Sequence, residues 1–294
     1  EEFHAFVGHL HTYYNTVISE LDENPQVNED RLKSISSHFL KDSLYRKHDI
    51  NPNKRQDLAI KSNNIVNIIL EFKTPKNKHE MINGTDINRK ALHEALHYYF
   101  EERLSGNVEI KNIIISNCID WYVFDASEFE KLYKNKKLHE TYTNWQGGFT
   151  AINKTSAVYD FFKEYITKNS ISFNYTNFNL EFLLKSLSHK PIQEVINNLE
   201  THTKKSQLLD LYRLLHPECL LREYNPKDSN ELNKGFYDEL LYIMGLEEKE
   251  IDKKPKIVVS GLEGSLITEV MRILKAEQGI YDDVEVGTAP PDSD

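Results

Sequence analysis

Up to about residue 43, apolar positions recur three and four apart. In NEDRLKSISSHFLKDSL the residues Leu32, Ile35, Phe39 and Leu40 share one face, which predicts a helix, with Asn28 as its N-cap and Glu29 and Asp30 in its first turn. The next stretch, DINPNKRQ, is polar, contains proline and reads as a loop. In DLAIKSNNIVNIILEFKTP the period changes to that of a hairpin: a strand Asp57–Lys61, a turn at Ser62–Asn64 and a strand Ile65–Lys73. The second strand is almost continuously apolar, as a strand buried on both faces must be. Residues Asn88–Leu104 return to helical spacing, and Gly106 follows where a C-cap glycine belongs. IKNIIISN and WYVFDAS are β-like runs on either side of Cys118–Asp120. The order of elements predicts an α/β core with a mixed sheet. NWQGGFT, residues 144–150, reads as a hinge or domain edge. Beyond Ala151, segments such as AVYDFFKEYITK and GSLITEVMRILKAE are helical in period and strand signals nearly vanish. The expected organisation is therefore an α/β domain over 1–150, an all-helical domain over 151–276 and a tail over 277–294 that reads as loose or as cut from a longer protein.

Composition narrows the class. Of 294 residues, 39% are hydrophobic and 28% charged, which suits a soluble globular protein. There is no run of 18 apolar residues to cross a membrane, and the start, EEFHAFVGHLHTYYNTV, has no apolar signal region. Two cysteines, Cys118 and Cys219, give neither a disulfide framework nor a CxxC pair, so a reducing cytoplasmic setting is expected. The net charge of −10 argues against a protein that simply coats nucleic acid, but not against an acidic metal site beside a basic patch. Lysine and arginine are dense at YRKHDINPNKR, KTPKNK and KLYKNKK, all in the first half of the chain. By default such runs are solvated loops.

Two motifs compete for the chemistry. HEALH, residues 93–97, has the HExxH spacing that puts His93 and His97 on one helix face for zinc, with Glu94 to polarise a bound water. A catalytic zinc needs a third protein ligand. The positions where one class carries Gly and His hold Phe100 and Arg103, and the acids Glu128 and Glu130 are candidates by distance alone. The two histidines also border an apolar stripe of Leu92, Ala95, Leu96 and Tyr99, where they could be polar flank residues. The second motif is Asp57 with Glu71-Phe72-Lys73. The hairpin brings Asp57 near Glu71, and Glu71 and Lys73, two apart on a strand, point the same way while Phe72 points into a core. Charges at the ends of apolar strands are costly to bury unless they pair or bind metal. Two carboxylates suit Mg²⁺, which can hold a phosphate and activate water, while a lysine orients that water or offsets developing charge.

This is the D…(D/E)-x-K pattern of the PD-(D/E)xK nucleases, with Glu71 14 positions after Asp57 and Gln56 where the name-giving pattern has proline. Glu94-x-x-x-Tyr98 resembles the Q-x-x-x-Y of RecB-like nucleases with Glu for Gln, and Glu29 resembles the acid that many of these nucleases carry ahead of the hairpin. The run NKRQDLAI…IILEFKTP…ALHEALHYYFEER…IKNIIISNCIDWYVFDASEFEKLY resembles the N-terminal nuclease region of type IIG restriction–modification enzymes, and LLDLYRLLHPECLLREYNPKDSNELNKGFYDELLYIMGLEE is similar to the helical region that follows it there. The resemblance implies a PD-(D/E)xK restriction-endonuclease-like core followed by an all-helical domain, and Mg²⁺-dependent cleavage of double-stranded DNA in host defence, with Mn²⁺ as a substitute. Asp57 and Glu71 would hold the metal, with the Phe72 carbonyl as a further ligand, and Lys73 would orient the nucleophile. Glu29, Glu94 and Tyr98 would support them, and Lys54, Arg55, Lys76 and Lys78 would meet DNA phosphates. The family continues into an adenine methyltransferase domain that uses S-adenosylmethionine and a target-recognition domain. Neither is visible here: the APPD of 289–292 lacks the aromatic fourth position of the methyltransferase motif, and VVSGLEGSL at 258–266 stands isolated. Two other readings stand beside this one: a non-catalytic DNA-binding or interaction module on the same scaffold, and a zinc metallopeptidase built on HEALH.

Overall fold

The computed structural model describes residues 1–24, 26–53, 56–147, 155–188, 190–199, 202–222, 234–251, 254–260 and 265–278. The two opening helices are Glu2–Glu23 (α1) and Glu29–Ser43 (α2). The side chain of Asn28 accepts from Arg31 N at 2.9 Å and so satisfies one of the free amides at the start of α2. Leu32, Ile35, Phe39 and Leu40 are buried, as their spacing requires.

A strand that the sequence pattern hides comes next. Residues Asp49–Asn53 (β1), expected as loop, pair antiparallel with Gln56–Ser62 (β2) at the edge of the sheet. Among the described side chains of β1 only Ile50 is in the core, so no apolar alternation announces it, and Pro52 is tolerated because an edge strand has one side without ladder bonds. The turn to Ile65–Phe72 (β3) is made by Asn63 and Asn64, whose φ angles of 52° and 63° lie in the left-handed region that asparagine accepts. β3 is buried from Val66 to Phe72. It lies between β2, antiparallel, and Asn112–Ser116 (β4), parallel. A parallel neighbour needs a crossover, and the helix Lys90–Leu104 (α3) supplies it. Gly106 follows that helix with φ of 91°. Asp120–Asp125 (β5) and Thr176–Asn179 (β6) complete a six-stranded mixed sheet in the order β1 to β6.

Alternation sorts the sheet into two apolar faces. Leu58, Ile60, Ile68, Leu70, Phe72, Ile114 and Trp121 pack with α1 and α2, and Phe72 meets Trp121 edge to face. Ala59, Ile69, Ile113, Ile115, Tyr122 and Phe124 pack with α3 and the helices Ala126–Tyr133 (α4), Lys136–Gln146 (α5) and Thr155–Lys168 (α6).

The division expected at residue 150 is not where the chain divides. The two compact units are Glu1–Glu223 and Tyr224–Asp294. The elements after 150 belong to the first unit because they finish its sheet and core. β6 pairs with β5, and the helices Leu180–Leu184 (α7), Ile192–Asn197 (α8), Lys205–Leu215 (α9) and Pro217–Leu220 (α10) contribute Leu183, Val195, Leu211 and Leu220 to the α1–α2 side of the core. Nor is the later chain all helical. Within the second unit, Lys234–Met244 (α11) and Leu266–Gln278 (α12) flank an antiparallel hairpin, Leu246–Ile251 (β7) and Lys254–Val259 (β8). β7 reads LEEKEI, too charged to register as a strand in sequence. The expected hinge glycine Gly147 caps α5, whereas 148–154 and most of the expected tail lie outside the described residues. Among the described residues no helix is long and apolar enough to cross a membrane.

Candidate metal centre

The register of β2 and β3 fixes the site. Leu58 pairs with Leu70, so Asp57 stands one step further on, opposite Glu71. The Phe72 amide donates to Asp57 Oδ2 at 2.7 Å, and the Lys73 amide donates to Ser116 O at 2.9 Å. These bonds close the ladder on both sides of β3 and hold the Glu71-Phe72-Lys73 backbone. Helices from both faces of the sheet reach this strand end: the first two turns of α2 bring Glu29 and Lys33, and α3 brings Glu94.

The charges converge on two lysines. Lys73 Nζ donates to Glu71 Oε1 and, at 3.1 Å, to the Phe72 carbonyl. It lies 2.7 Å from Glu94 Oε2 and 3.9 Å from Glu29 Oε2. Lys33 Nζ lies 2.5 Å from Asp57 Oδ1 and 3.1 Å from Glu29 Oε1. Lys90, at the start of α3, stands 3.7 Å from Glu94 Oε1 and pairs with Glu80. Glu71 is 1% exposed and Lys73 5%. Full burial, reinforced by the charges of Asp57 and Glu94, pushes the Glu71 carboxyl well above its usual range despite Lys73. Burial works to lower Lys73, but the carboxylates of Glu71, Glu94 and Glu29 outweigh it and hold the ammonium above its usual value. Tyr98, on the next turn of α3 from Glu94, is raised by burial and by the charges of Glu71, Asp57 and Glu94.

All six residues singled out as catalytic or supporting, Asp57, Glu71, Lys73, Glu29, Glu94 and Tyr98, therefore belong to one neighbourhood. Of the phosphate-binding candidates, Lys76 and Lys78 are exposed on the loop that leaves β3, and Lys54 and Arg55 lie outside the described residues. The reading of the sequence missed Lys33 and Lys90. Lys33 was within reach of it, being four residues after Glu29 on the same face of α2.

The residues fit a hard divalent cation by charge and donor type. Four carboxylates face buried Lys73 and half-buried Lys33, and the buried oxygens Glu71 Oε2 and Glu94 Oε2 accept no hydrogen bond among the described residues. The ion pair of Glu94 Oε2 with Lys73 lies outside hydrogen-bond angles. Oxygen donors of this kind suit Mg²⁺ or Mn²⁺ rather than Zn²⁺. As the side chains stand, no three His, Cys, Asp or Glu among the described residues are grouped to hold a metal ion. Lys33, Lys73 and, at 3.7 Å from Glu94, Lys90 are cations that meet these carboxylates.

HEALH splits between two environments. Glu94 belongs to the charged cluster. His93 Nε2 donates to Asn88 Oδ1 at 2.7 Å; the amide of Asn88 is oriented by its own bonds to Lys163 O and Thr167 Oγ1. Burial lowers His93 to about 4. His97 is buried in an aromatic box, with Nδ1 2.5 Å from the Tyr142 hydroxyl and Trp145 and Tyr159 edge-on to its ring. The acids considered as a third zinc ligand are engaged elsewhere, Glu130 with Arg103 and Tyr99, and Glu128 with Lys131 and Asn174.

Residues 1–228 match the model of a family described as a domain of unknown function (DUF7149), and residues 229–289 match a second such model (DUF7814). The border between the two matches falls close to the division between the compact units. No curated protein and no solved structure matches the chain.

Proposed function

The chain belongs to the DUF7149 family, a domain of unknown function, and from the chemistry of its buried charge cluster we propose that it is a Mg²⁺-dependent DNA endonuclease domain with a PD-(D/E)xK core. The observation that carries this reading is the Glu71 carboxyl: 1% exposed, with one oxygen on Lys73 and the other on no donor, beside Asp57 and Glu94. A buried, under-compensated carboxylate costs several kcal/mol, and apolar residues of the same size would stabilise the strand end better. Such groups concentrate where chemistry needs them. Support comes from the order of elements as well: helix, three-stranded meander, crossover helix and parallel strand, with the acids and lysine at the strand ends.

Asp57, Glu71 and the Phe72 carbonyl would hold the metal. Bound there, Mg²⁺ would supply Lewis-acid polarisation of a phosphodiester and a water of lowered pKa. Lys73 remains protonated among its carboxylates, so its part is to donate: to the attacking water, fixing its direction, or to the phosphate oxygen that gains charge. Glu94 and Glu29 hold the ammonium of Lys73 from two further sides, which limits where it can point. Lys76 and Lys78, on the loop leaving Lys73, would meet the backbone phosphates of double-stranded DNA, and binding would weaken as salt rises. A role in a cytoplasmic restriction–modification system, next to methyltransferase and target-recognition domains, follows from the type IIG resemblance and belongs to the same proposal.

Supercoiled plasmid incubated with the chain and Mg²⁺ or Mn²⁺ tests the reading. Nicking or linearisation is expected, lost at least a hundredfold in Glu71→Gln and Lys73→Met and retained in His93→Gln. Folded, metal-loaded protein that leaves plasmid intact would favour the non-cutting DNA-binding module, and cutting that survives both substitutions would refute the assignment.

A further inference from the structure

Both oxygens of Asp57 are engaged. Its Oδ2 accepts from the Phe72 amide, and its Oδ1 lies 2.5 Å from Lys33 Nζ. Lys33 is a fixed cation: burial works to lower it, but Asp57 and Glu29 outweigh that and raise it above its usual value. An ammonium at Oδ1 and a divalent ion on the same carboxylate repel each other through a poorly screened interior, so the two compete for Asp57. Beside Lys33 runs a groove of about 500 Å³ between α2 and the β1–β2 edge, lined by Lys33, Ser37, His38, Asn51, Pro52 and Asp57. The four-carbon stem of Lys33 can turn its head into that space without repacking the core.

We propose that Lys33 is the resident counter-ion of Asp57, holding the carboxylate while the site is metal-free and moving into the groove when a divalent cation takes the oxygen. The inference rests on the reading of Asp57 and Glu71 as metal ligands. It makes Lys33 a positioning residue that sets metal affinity below what the carboxylates alone would give.

The test uses the whole 294-residue chain and Mn²⁺ alone, with free ion followed by electron paramagnetic resonance. Wild type is expected to bind Mn²⁺ at a site lost in Glu71→Gln, and Lys33→Met to bind about tenfold tighter or more. A folded Lys33→Met protein with unchanged or weaker affinity would overturn the proposal while leaving the metal site intact. A second measurement needs no variant. Acylation of Lys33 by an amine-selective reagent, read by mass spectrometry, should be slow in chelator and at least threefold faster with saturating Mn²⁺, while the exposed Lys41 stays constant. Bound Mn²⁺ with no change at Lys33 would also overturn it. Absence of Mn²⁺ binding in wild type and Lys33→Met alike would remove the metal-site reading and this inference with it.

Discussion

Glu71 is where stability and chemistry pull in opposite directions. Its folded-state affinity for a proton exceeds that of an unfolded glutamate, because burial and the charges of Asp57 and Glu94 outweigh Lys73. The folded protein therefore holds a proton there that the unfolded chain releases. The contribution of this group is fully present below the ordinary carboxylate range, near pH 4, and is lost as pH rises towards the raised folded value. Glu71→Gln removes that loss and can still accept from Lys73. In chelator at pH 7 to 8 its melting temperature should exceed wild type by about 2–4 °C, an effect of ~1 kcal/mol in a domain of this size, and the advantage should fade towards pH 4. A lower melting temperature at neutral pH would show that the ion pair with Lys73 dominates. Much of this cluster was legible at the residue level. Glu71 and Lys73 are two apart on a strand, which fixes their common face, and the hairpin sets Asp57 opposite. Glu94 was marked twice, by HEALH and by its spacing from Tyr98, whereas the two histidines of HEALH turn to Asn88 and Tyr142. Lys33 was missed because its partner Asp57 is distant in sequence, and only its spacing from Glu29 marked it.

At the level of elements, the site depends on where α2 begins. Asn28 caps α2, and the first two turns then carry Glu29 and Lys33 to Asp57 and Lys73. Asn28→Ala should cost about 1 kcal/mol of stability, measured by denaturant unfolding. Because the frayed turn holds Glu29, it should also weaken the Glu29–Lys33 pairing; a loss below the resolution of the measurement would mean that packing of Leu32 and Ile35 alone sets the start of the helix. The helices and the β2–β3 hairpin were readable because each keeps one period over many residues. β1 and β7 were not. β1 has one core residue and a proline on an unpaired edge, and β7 alternates charges where a strand is usually recognised by apolar positions.

For the whole molecule, the placement of residues 155–222 decides what folds. β6 pairs with β5, with Phe178 stacked on Trp121. The Tyr45 hydroxyl donates to Leu215 O at 2.8 Å, and the Asn112 side chain donates to Leu220 O at 2.6 Å. These long-range bonds tie both ends of the first unit together, which a change of periodicity near residue 150 cannot reveal. A chain ending at 222 should melt cooperatively, whereas one ending at 150 should not, since it would expose the α1–α2 face of the core and an unpaired β5 edge; circular dichroism on heating distinguishes them. Cooperative melting of the shorter chain would restore the boundary that the sequence suggests.

The central claim is that the strand-end carboxylates form a divalent-metal site, and anomalous scattering from crystals soaked in Mn²⁺ addresses it most directly. The account predicts a peak within coordination distance, about 2.0–2.6 Å, of Asp57 and Glu71, with Lys33 turned away from Asp57. A peak at His93 or His97 with none at the carboxylates would contradict it, as would well-ordered carboxylates still paired to both lysines at saturating Mn²⁺.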